Sequence, residues 1–334
     1  MIEVKNISKK YGNFIAVDNI SFEVNDHEIV GFLGANGAGK TTTMNMITGF
    51  IEPNEGEIII NGFNISKNPN KAKKQMGYMP ENVPLYNDLT VKEFVNYMAE
   101  LKRVNKKERK EVVKNILKET GLLDVQNKLI KNISRGYKQR VSMAGALVGN
   151  PEVLILDEPT VGLDPKQITE IRELIKKLGN NHTILLSSHI LSEVSQICQK
   201  VVIINKGKIL AIDTPENLEN KTKEENSVTL VVEDEDDKMK TINKKIKSIN
   251  EVRLLKENED GTKKYLIISN NDVDIRKELF EVLPKEKITI FELRKSENTL
   301  EDAFLKIVDE KEKEINTENE KNNKKENKQE GGKK

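Results

Sequence analysis

Two short stretches of this 334-residue chain combine residue types and spacings that could do chemistry. The first is GANGAGKTT, Gly34 to Thr42, which follows the apolar run EIVGFL and leads into TTTMNMIT. Glycines let the backbone curl so that successive N–H groups converge on phosphate oxygens, and a helix starting at the end of the loop adds its positive pole. The stretch fits GxxxxGK[ST] with Gly34, Gly39, Lys40 and Thr41 in register. In that arrangement Lys40 binds the β- and γ-phosphates as a point charge and the Thr41 hydroxyl ligates Mg²⁺. The rival reading is a glycine-rich turn without a ligand.

The second stretch is VLILDEPT. Val153 to Leu156 read as a buried strand, and Asp157 stands at its carboxyl end, where open α/β sheets bind ligands. Asp157 can hold Mg²⁺ directly or through water, and Glu158 beside it is the candidate general base for hydrolysis. The rival reading is an ordinary acidic strand end.

These residues need strands and helices to hold them. From Ile2 to about Pro215, strand-like runs (IEVKNI, EIVGFL, GEIIING, VLILD, TILLSS, VVIINKG) alternate with helical stretches, which predicts a largely parallel α/β layer fold. Between Asn82 and Leu129 the apolar spacing is helical instead. Val91, Phe94, Val95, Met98 and Leu101 fall on one face, followed by Val112, Val113, Ile116 and Leu117, so a helical insertion is expected, about 82–150.

After Pro215 comes the charged connection KTKEEN and a second pattern in the order βαββαβ. Its strands are SVTLVV, EVRLLKE, KKYLIIS and KITIFEL, its helices DKMKTINKKIKSI and DIRKELFEVL, and Asp260-Gly261 turns its central hairpin. This order suits a small α+β, ferredoxin-like sandwich over 226–310, closed by a helix Thr299 to Val308 with Leu300, Ala303, Phe304 and Ile307 on its apolar face. Residues 311–334 are almost wholly Lys, Glu and Asn, too polar to offset the entropy of ordering, and are expected to be a disordered tail.

Composition bounds the function. With 55 basic against 54 acidic side chains the net charge of +1 gives no general attraction to nucleic acid or to an acidic membrane, so no nucleic-acid partner is expected. The basic string KRVNKKERKE reads as a solvated helix. No run approaches the roughly 18 apolar residues that cross a bilayer, and the start lacks a secretory segment, which points to the cytoplasm. Cys198 reads as a core residue, and the Asn64 and Asn132 triplets as chance matches to a glycosylation pattern.

Between the two chemical stretches lies ISRGYKQRV, Ile133 to Val141. It resembles the signature of ATP-binding cassette (ABC) proteins, and the other motifs then stand in that family's order. They are Tyr11 before the first core strand, Walker A (Gly34 to Thr42), the Q-loop GYMPE (Gly77 to Glu81), the signature (Ile133 to Tyr137), Walker B (Val153 to Asp157), Glu158, the D-loop VGLD (Val161 to Asp164) and His189 in SSH. The resemblance covers about residues 1–218 and implies a P-loop ABC ATPase core.

It implies that two cassettes pair head to tail with ATP between Walker A of one and the signature of the other. ATP would then rest on Tyr11, Asn36, Gly37, Ala38, Gly39, Lys40, Thr41 and Thr42, with Mg²⁺ on Thr41, Glu81 and Asp157. Ser134, Arg135, Gly136 and Tyr137 would face the other copy's γ-phosphate. Glu158 and His189 would be catalytic and Asp164 would link the two sites, while His27 and His182 are read as structural.

Two motifs depart from the family pattern: Arg135 and Tyr137 make ISRGY a variant signature, and Glu81 stands where glutamine is usual. Arg135 either brings positive charge near phosphate or pairs with an acid. These departures and the EDAF helix resemble ATPase subunits of the ABC-2 type exporter branch. The implied function is ATP binding and hydrolysis coupled to a separate membrane permease, met near Pro84, Leu85 and Tyr86, with the protein peripheral on the inner face of the cell membrane. The alternatives are a soluble ABC ATPase acting on ribosome or nucleic acid, and a nucleotide-binding regulator without turnover.

Overall fold

The computed structural model describes residues 1–82, 84–221, 227–234, 238–258, 261–270 and 274–295, together with 304, 307 and 308. They divide into two compact units, the first taking in Met1–Leu218 and the second Glu219–Ala303.

The first unit contains two sheets. One has antiparallel strands β1 (Ile2–Tyr11), β2 (Phe14–Val24), β4 (Glu55–Ile60) and β5 (Phe63–Asn64) in the order β2-β1-β4-β5. The other has parallel strands β3 (Ile29–Leu33), β6 (Met76–Met79), β7 (Val153–Asp157), β8 (Thr183–Ser188) and β9 (Lys200–Asn205), with β10 (Lys208–Asp213) antiparallel at one edge, in the order β10-β9-β3-β8-β7-β6.

IEVKNI and GEIIING therefore leave the parallel sheet to which the sequence pattern assigned them. The cause is local. A two-residue turn at Gly12-Asn13 pairs Tyr11 with Phe14, and so short a connection can only join antiparallel neighbours. The apolar face of this sheet (Ile2, Val4, Ile20, Phe22, Ile58, Ile60) shares one core with Val30 and Phe32 of β3, and the Phe22 and Phe32 rings lie 5.3 Å apart. Each such buried side chain contributes about 1.5–3 kcal/mol.

All residues of β3, β7 and β8 are buried, as a parallel sheet covered on both faces requires. Their register pairs Leu33 with Ser188 and Asp157 with Ser187. The three strands thus end at one level, and the residues that follow them gather at one edge.

Helices α1 (Lys40–Ile47), α2 (Pro69–Lys74), α6 (Pro165–Gly179), α7 (Leu191–Ile197) and α8 (Pro215–Lys221) accompany the sheets. The insertion between β6 and β7 holds α3 (Val91–Leu101), α4 (Arg109–Glu119) and α5 (Arg135–Leu147). A capping box starts α3: Thr90 accepts from the Glu93 N–H, and the Glu93 carboxylate accepts from Thr90 N. Val91, Phe94 and Val95 are buried as their spacing predicts, but Leu101 is 58% exposed. At the last position of the helix it has drifted off the buried stripe.

In the second unit β11 (Ser227–Glu233), β12 (Ile249–Glu257), β13 (Thr262–Ser269) and β14 (Thr289–Lys295) form an antiparallel sheet in the order β12-β13-β11-β14. Val228, Leu230, Val232, Tyr265 and Ile267 pack with Met239, Ile242 and Leu279 in its own core, and α9 is Arg276–Val282. The helix expected over DKMKTINKKIKSI is a 3-10 helix, Lys238–Lys244. Buried Asp234 accepts from the N–H groups of Lys238 and Met239 at 2.8 and 3.0 Å, and a three-residue turn puts Met239 and Ile242 on one face.

Asp260, the linker at 222–226 and the tail at 311–334 lie outside the described residues. So does most of the expected last helix, of which Phe304, Ile307 and Val308 are described as helical. Cys198 is a buried core residue, and burial pushes its thiol pKa up.

Candidate active site

The loop after β3 closes on α1 through Gly39, whose φ of +109° is open to glycine and whose position leaves no room for a side chain: a Cβ there would lie 2.7 Å from the Ala16 carbonyl oxygen. No side chain caps α1 and no acid occupies its first turn. Its leading N–H groups are available to an anion.

Lys40 Nζ, almost fully buried, donates to the carbonyl oxygens of Gly34 at 2.7 Å and Ala35 at 3.3 Å and lies 3.7 Å from Glu158 Oε1. One ammonium thus joins the phosphate loop to the acid after β7. The other oxygen of Glu158, Oε2, is 2.9 Å from His189 Nδ1. Glu158 adopts φ +49°, and its N–H donates to Ser187 Oγ at 3.0 Å. Ser187 Oγ in turn donates to Asp157 Oδ1. Burial raises the Asp157 carboxyl above its ordinary range, and the Glu158 and Glu81 carboxylates push the same way against Ser187 and Lys40.

A cleft of about 360 Å³ opens over this arrangement, and Asn36, Gly37, Gly39, Lys40, Thr41, Thr42, Glu81, Glu158 and His189 all line it. Ala38 is buried beneath the loop. Among the described residues no group of three or more His, Cys, Asp or Glu could hold a metal ion. Mg²⁺ in nucleotide sites needs no such group, since it takes one or two carboxylates and completes its shell with phosphates and water. Thr41 and Glu81, which line the cleft, and Asp157 at the end of β7 are donors of the kind that would suit it.

The signature residues stand elsewhere. Ser134 caps α5, its Oγ accepting from Tyr137 N at 3.4 Å, and Tyr137 Oη donates to Asp124 at 2.7 Å. Ser134, Gly136 and Tyr137 share a separate cleft of about 420 Å³ with Asp164, which caps α6 by accepting from Gln167 N at 2.9 Å. Arg135 turns into a third cleft with Glu81, Pro84 and Leu85. Within one chain, the α5 N-terminus and the phosphate loop belong to different clefts.

Tyr11 does not line the phosphate cleft. It is half exposed with the Lys9 ammonium 5.6 Å from its ring, and the aromatic lining the cleft is its cross-strand neighbour Phe14. Sequence reasoning missed Phe14, whose signal was its place directly after a two-residue turn. It also missed Ser187, which was read only as context for His189. A fourth cleft, with Phe50 80% exposed beside Tyr78 and Met98 and the ammonium groups of Lys73 and Lys102, had no sequence signal.

Residues 17–161 match the family model for ABC transporter. An uncharacterized ABC transporter ATP-binding protein, YhcH of Bacillus subtilis, is 33% identical over 94% of this chain and 98% of its own length. The bacitracin transport ATP-binding protein BcrA of Bacillus licheniformis is 42% identical over 63% of this chain and 68% of its own. The solved ATP-binding cassette MJ0796, a dimer in a post-hydrolysis state bound to ADP and Pi, superposes with a TM-score of 0.58 at 26% identity, covering 64% of this chain and 98% of that one.

Proposed function

The chain belongs to the ABC transporter family as an ATP-binding, ATP-hydrolysing subunit, and from that premise we propose that it drives an exporter whose permease is a separate membrane protein. The observation that carries the mechanism is the separation, within one chain, of the cleft holding Lys40 and Glu158 from the cleft holding Ser134 and Gly136. A second copy, head to tail, would bring the missing half to each nucleotide.

In this reading the loop residues Asn36 to Thr42 cradle the phosphates, with Tyr11 and Phe14 beside the base. Lys40 exchanges its two carbonyl partners for phosphate oxygens. Glu158, then freed from Lys40, accepts a proton from the attacking water, and His189 holds its second oxygen in place. Thr41, Glu81 and Asp157 would hold Mg²⁺, which supplies charge neutralisation on the phosphates when bound. Ser134, Gly136 and the α5 N-terminus act on the partner copy's γ-phosphate.

The exporter reading draws on BcrA, a transport ATP-binding protein. No helix of the described residues is long and apolar enough to cross a membrane. The permease would seat the protein on the inner face of the membrane, through a cytoplasmic segment lying over Pro84, Leu85 and Tyr86 and into the groove at Phe50. Lys73 and Lys102 at that groove favour an acidic segment. The domains are read as 1–218, with a helical subdomain at about 82–150, and 226–310. The strand order of the second unit supports a ferredoxin-like sandwich, with a dimer-stabilising or regulatory role. The alternative of a soluble ATPase on ribosome or nucleic acid draws no support from the near-neutral charge or from these relatives.

The test is the Glu158→Gln protein. It should bind ATP, lose hydrolysis and accumulate as a dimer measured by light scattering. Undiminished hydrolysis, or an ATP-loaded protein that stays monomeric, would overturn the reading.

A further inference from the structure

We propose that Arg135 is a positioning residue that latches the signature helix onto the loop running from Glu158 to Asp164 in its own chain, and that it is not a phosphate ligand. The inference rests on the dimer proposed above and adds a route by which one nucleotide site informs the other.

Arg135 is the first residue of α5, directly after the capping Ser134. Its guanidinium lies against Gly162: a Cβ at residue 162 would sit 2.3 Å from Arg135 Cζ and 2.4 Å from both Nη atoms. The flat group thus occupies the space that any other residue would fill at 162, where φ is +70° and glycine is favoured already. The next residue makes a second contact, since a Cβ at Gly136 would sit 2.8 Å from Gln167 Cδ. Gln167 stands in the first turn of α6 and its N–H donates to Asp164, so Arg135 rests on the loop and Gly136 on the helix that follows it.

Position relative to the nucleotide gives this contact a function. Glu81 and Val161 line both the phosphate cleft and the cleft that contains Arg135. A nucleotide that draws in Glu81 or shifts Val161 moves the surface on which Arg135 lies, and with it the Ser134 hydroxyl and α5 amides that serve the partner's nucleotide. Arg135 and Lys138 also line that cleft together with Glu81. Two of the three residues that depart from the common family pattern, Arg135 and Glu81, thereby meet in one cleft.

The latch predicts that Gly162→Ala displaces the guanidinium and reproduces Arg135→Ala. Each should lower kcat about tenfold, the scale of a small misplacement of catalytic groups, and the double variant should be no worse than either. The affinity of the protein for a fluorescent ATP analogue should be unchanged. Arg135→Lys should not restore kcat, because an ammonium lacks the plane that lies on Gly162.

Multiplying effects in the double variant would overturn the latch. So would an Arg135→Ala protein that loses ATP-dependent dimerisation in the Glu158→Gln background while Gly162→Ala keeps it, the behaviour of a phosphate ligand. If Gly162→Ala does not fold, as judged by its thermal melt, full rescue of kcat by Arg135→Lys overturns the proposal, and failure of rescue with unchanged affinity supports it. A wild-type protein that never dimerises with ATP would instead refute the dimer itself.

Discussion

The parallel sheet of the first unit and the antiparallel sheet of the second handle polar residues in opposite ways. In β7 and β8 every side chain is buried, Thr183 at the start of β8 is the one polar residue before the carboxyl ends, and there Asp157, Glu158, Ser187 and His189 collect, with Glu158 beside Lys40. In β12 only the first residue is buried, and Arg253, Lys256 and Glu257 are spread along an exposed edge. The ion pairs there are local, such as Arg253 with Glu251 at 3.0 Å, and exposed pairs of this kind add little. Covering a sheet on both faces concentrates its chemistry at one end, whereas leaving a face or edge to solvent disperses it.

Substitutions can break that contrast. The largest effect is expected at the concentrated end: Glu158→Gln should lower kcat by about 10²- to 10⁴-fold in a phosphate-release assay. Next, Leu230→Ala in the second core should cost about 2–5 kcal/mol of that unit's stability in denaturant unfolding while leaving nucleotide affinity unchanged. Loss of nucleotide affinity in that variant would mean that the second core does more than hold its own unit together. Ser187→Ala removes a donor to Asp157 and the acceptor of the Glu158 N–H, and should cost about 1.5–3 kcal/mol in kcat/KM.

The smallest effect carries a sign that sharpens the comparison. Asp157 has its carboxyl pKa raised from an ordinary 3.8, so between that value and the raised one the folded protein holds the proton more tightly than the unfolded chain. Stability from this group is therefore present at low pH and is lost as pH rises through that interval. At neutral pH the ionised carboxylate is a net cost to the nucleotide-free protein. Asp157→Asn should raise the melting temperature without nucleotide and abolish the further rise caused by Mg²⁺ and ATP. A lower melting temperature would contradict the electrostatic account.

What the sequence made legible follows the same division. GANGAGKTT and VLILDE could be read because local spacing alone determines them: a strand, a turn that needs glycine, a helix start, and an acid after a buried run. The assignment of β1 and β4 to a separate sheet was less visible, since Ile-rich alternation fits either sheet and only the short turns decide. Ser187 and Phe14 escaped because their roles arise from strands brought together across the fold, Ser187 opposite Asp157 and Phe14 over the phosphate loop. The 3-10 helix at Lys238–Lys244 was misread because apolar residues three apart satisfy both helix types until the Asp234 bonds are known. Arg135 was legible as a departure, but its seat on Gly162 was not.

The central claim is that one chain holds two half-sites and no complete one. It is tested most directly by the specific ATPase activity of the wild-type protein as a function of its own concentration, in the presence of Mg²⁺ and saturating ATP. The account predicts that activity per molecule rises with concentration and levels off as dimers form, and that Ser134→Arg removes the rise. Activity per molecule that is constant down to the lowest concentration, in a protein shown by light scattering to be monomeric there, would contradict it.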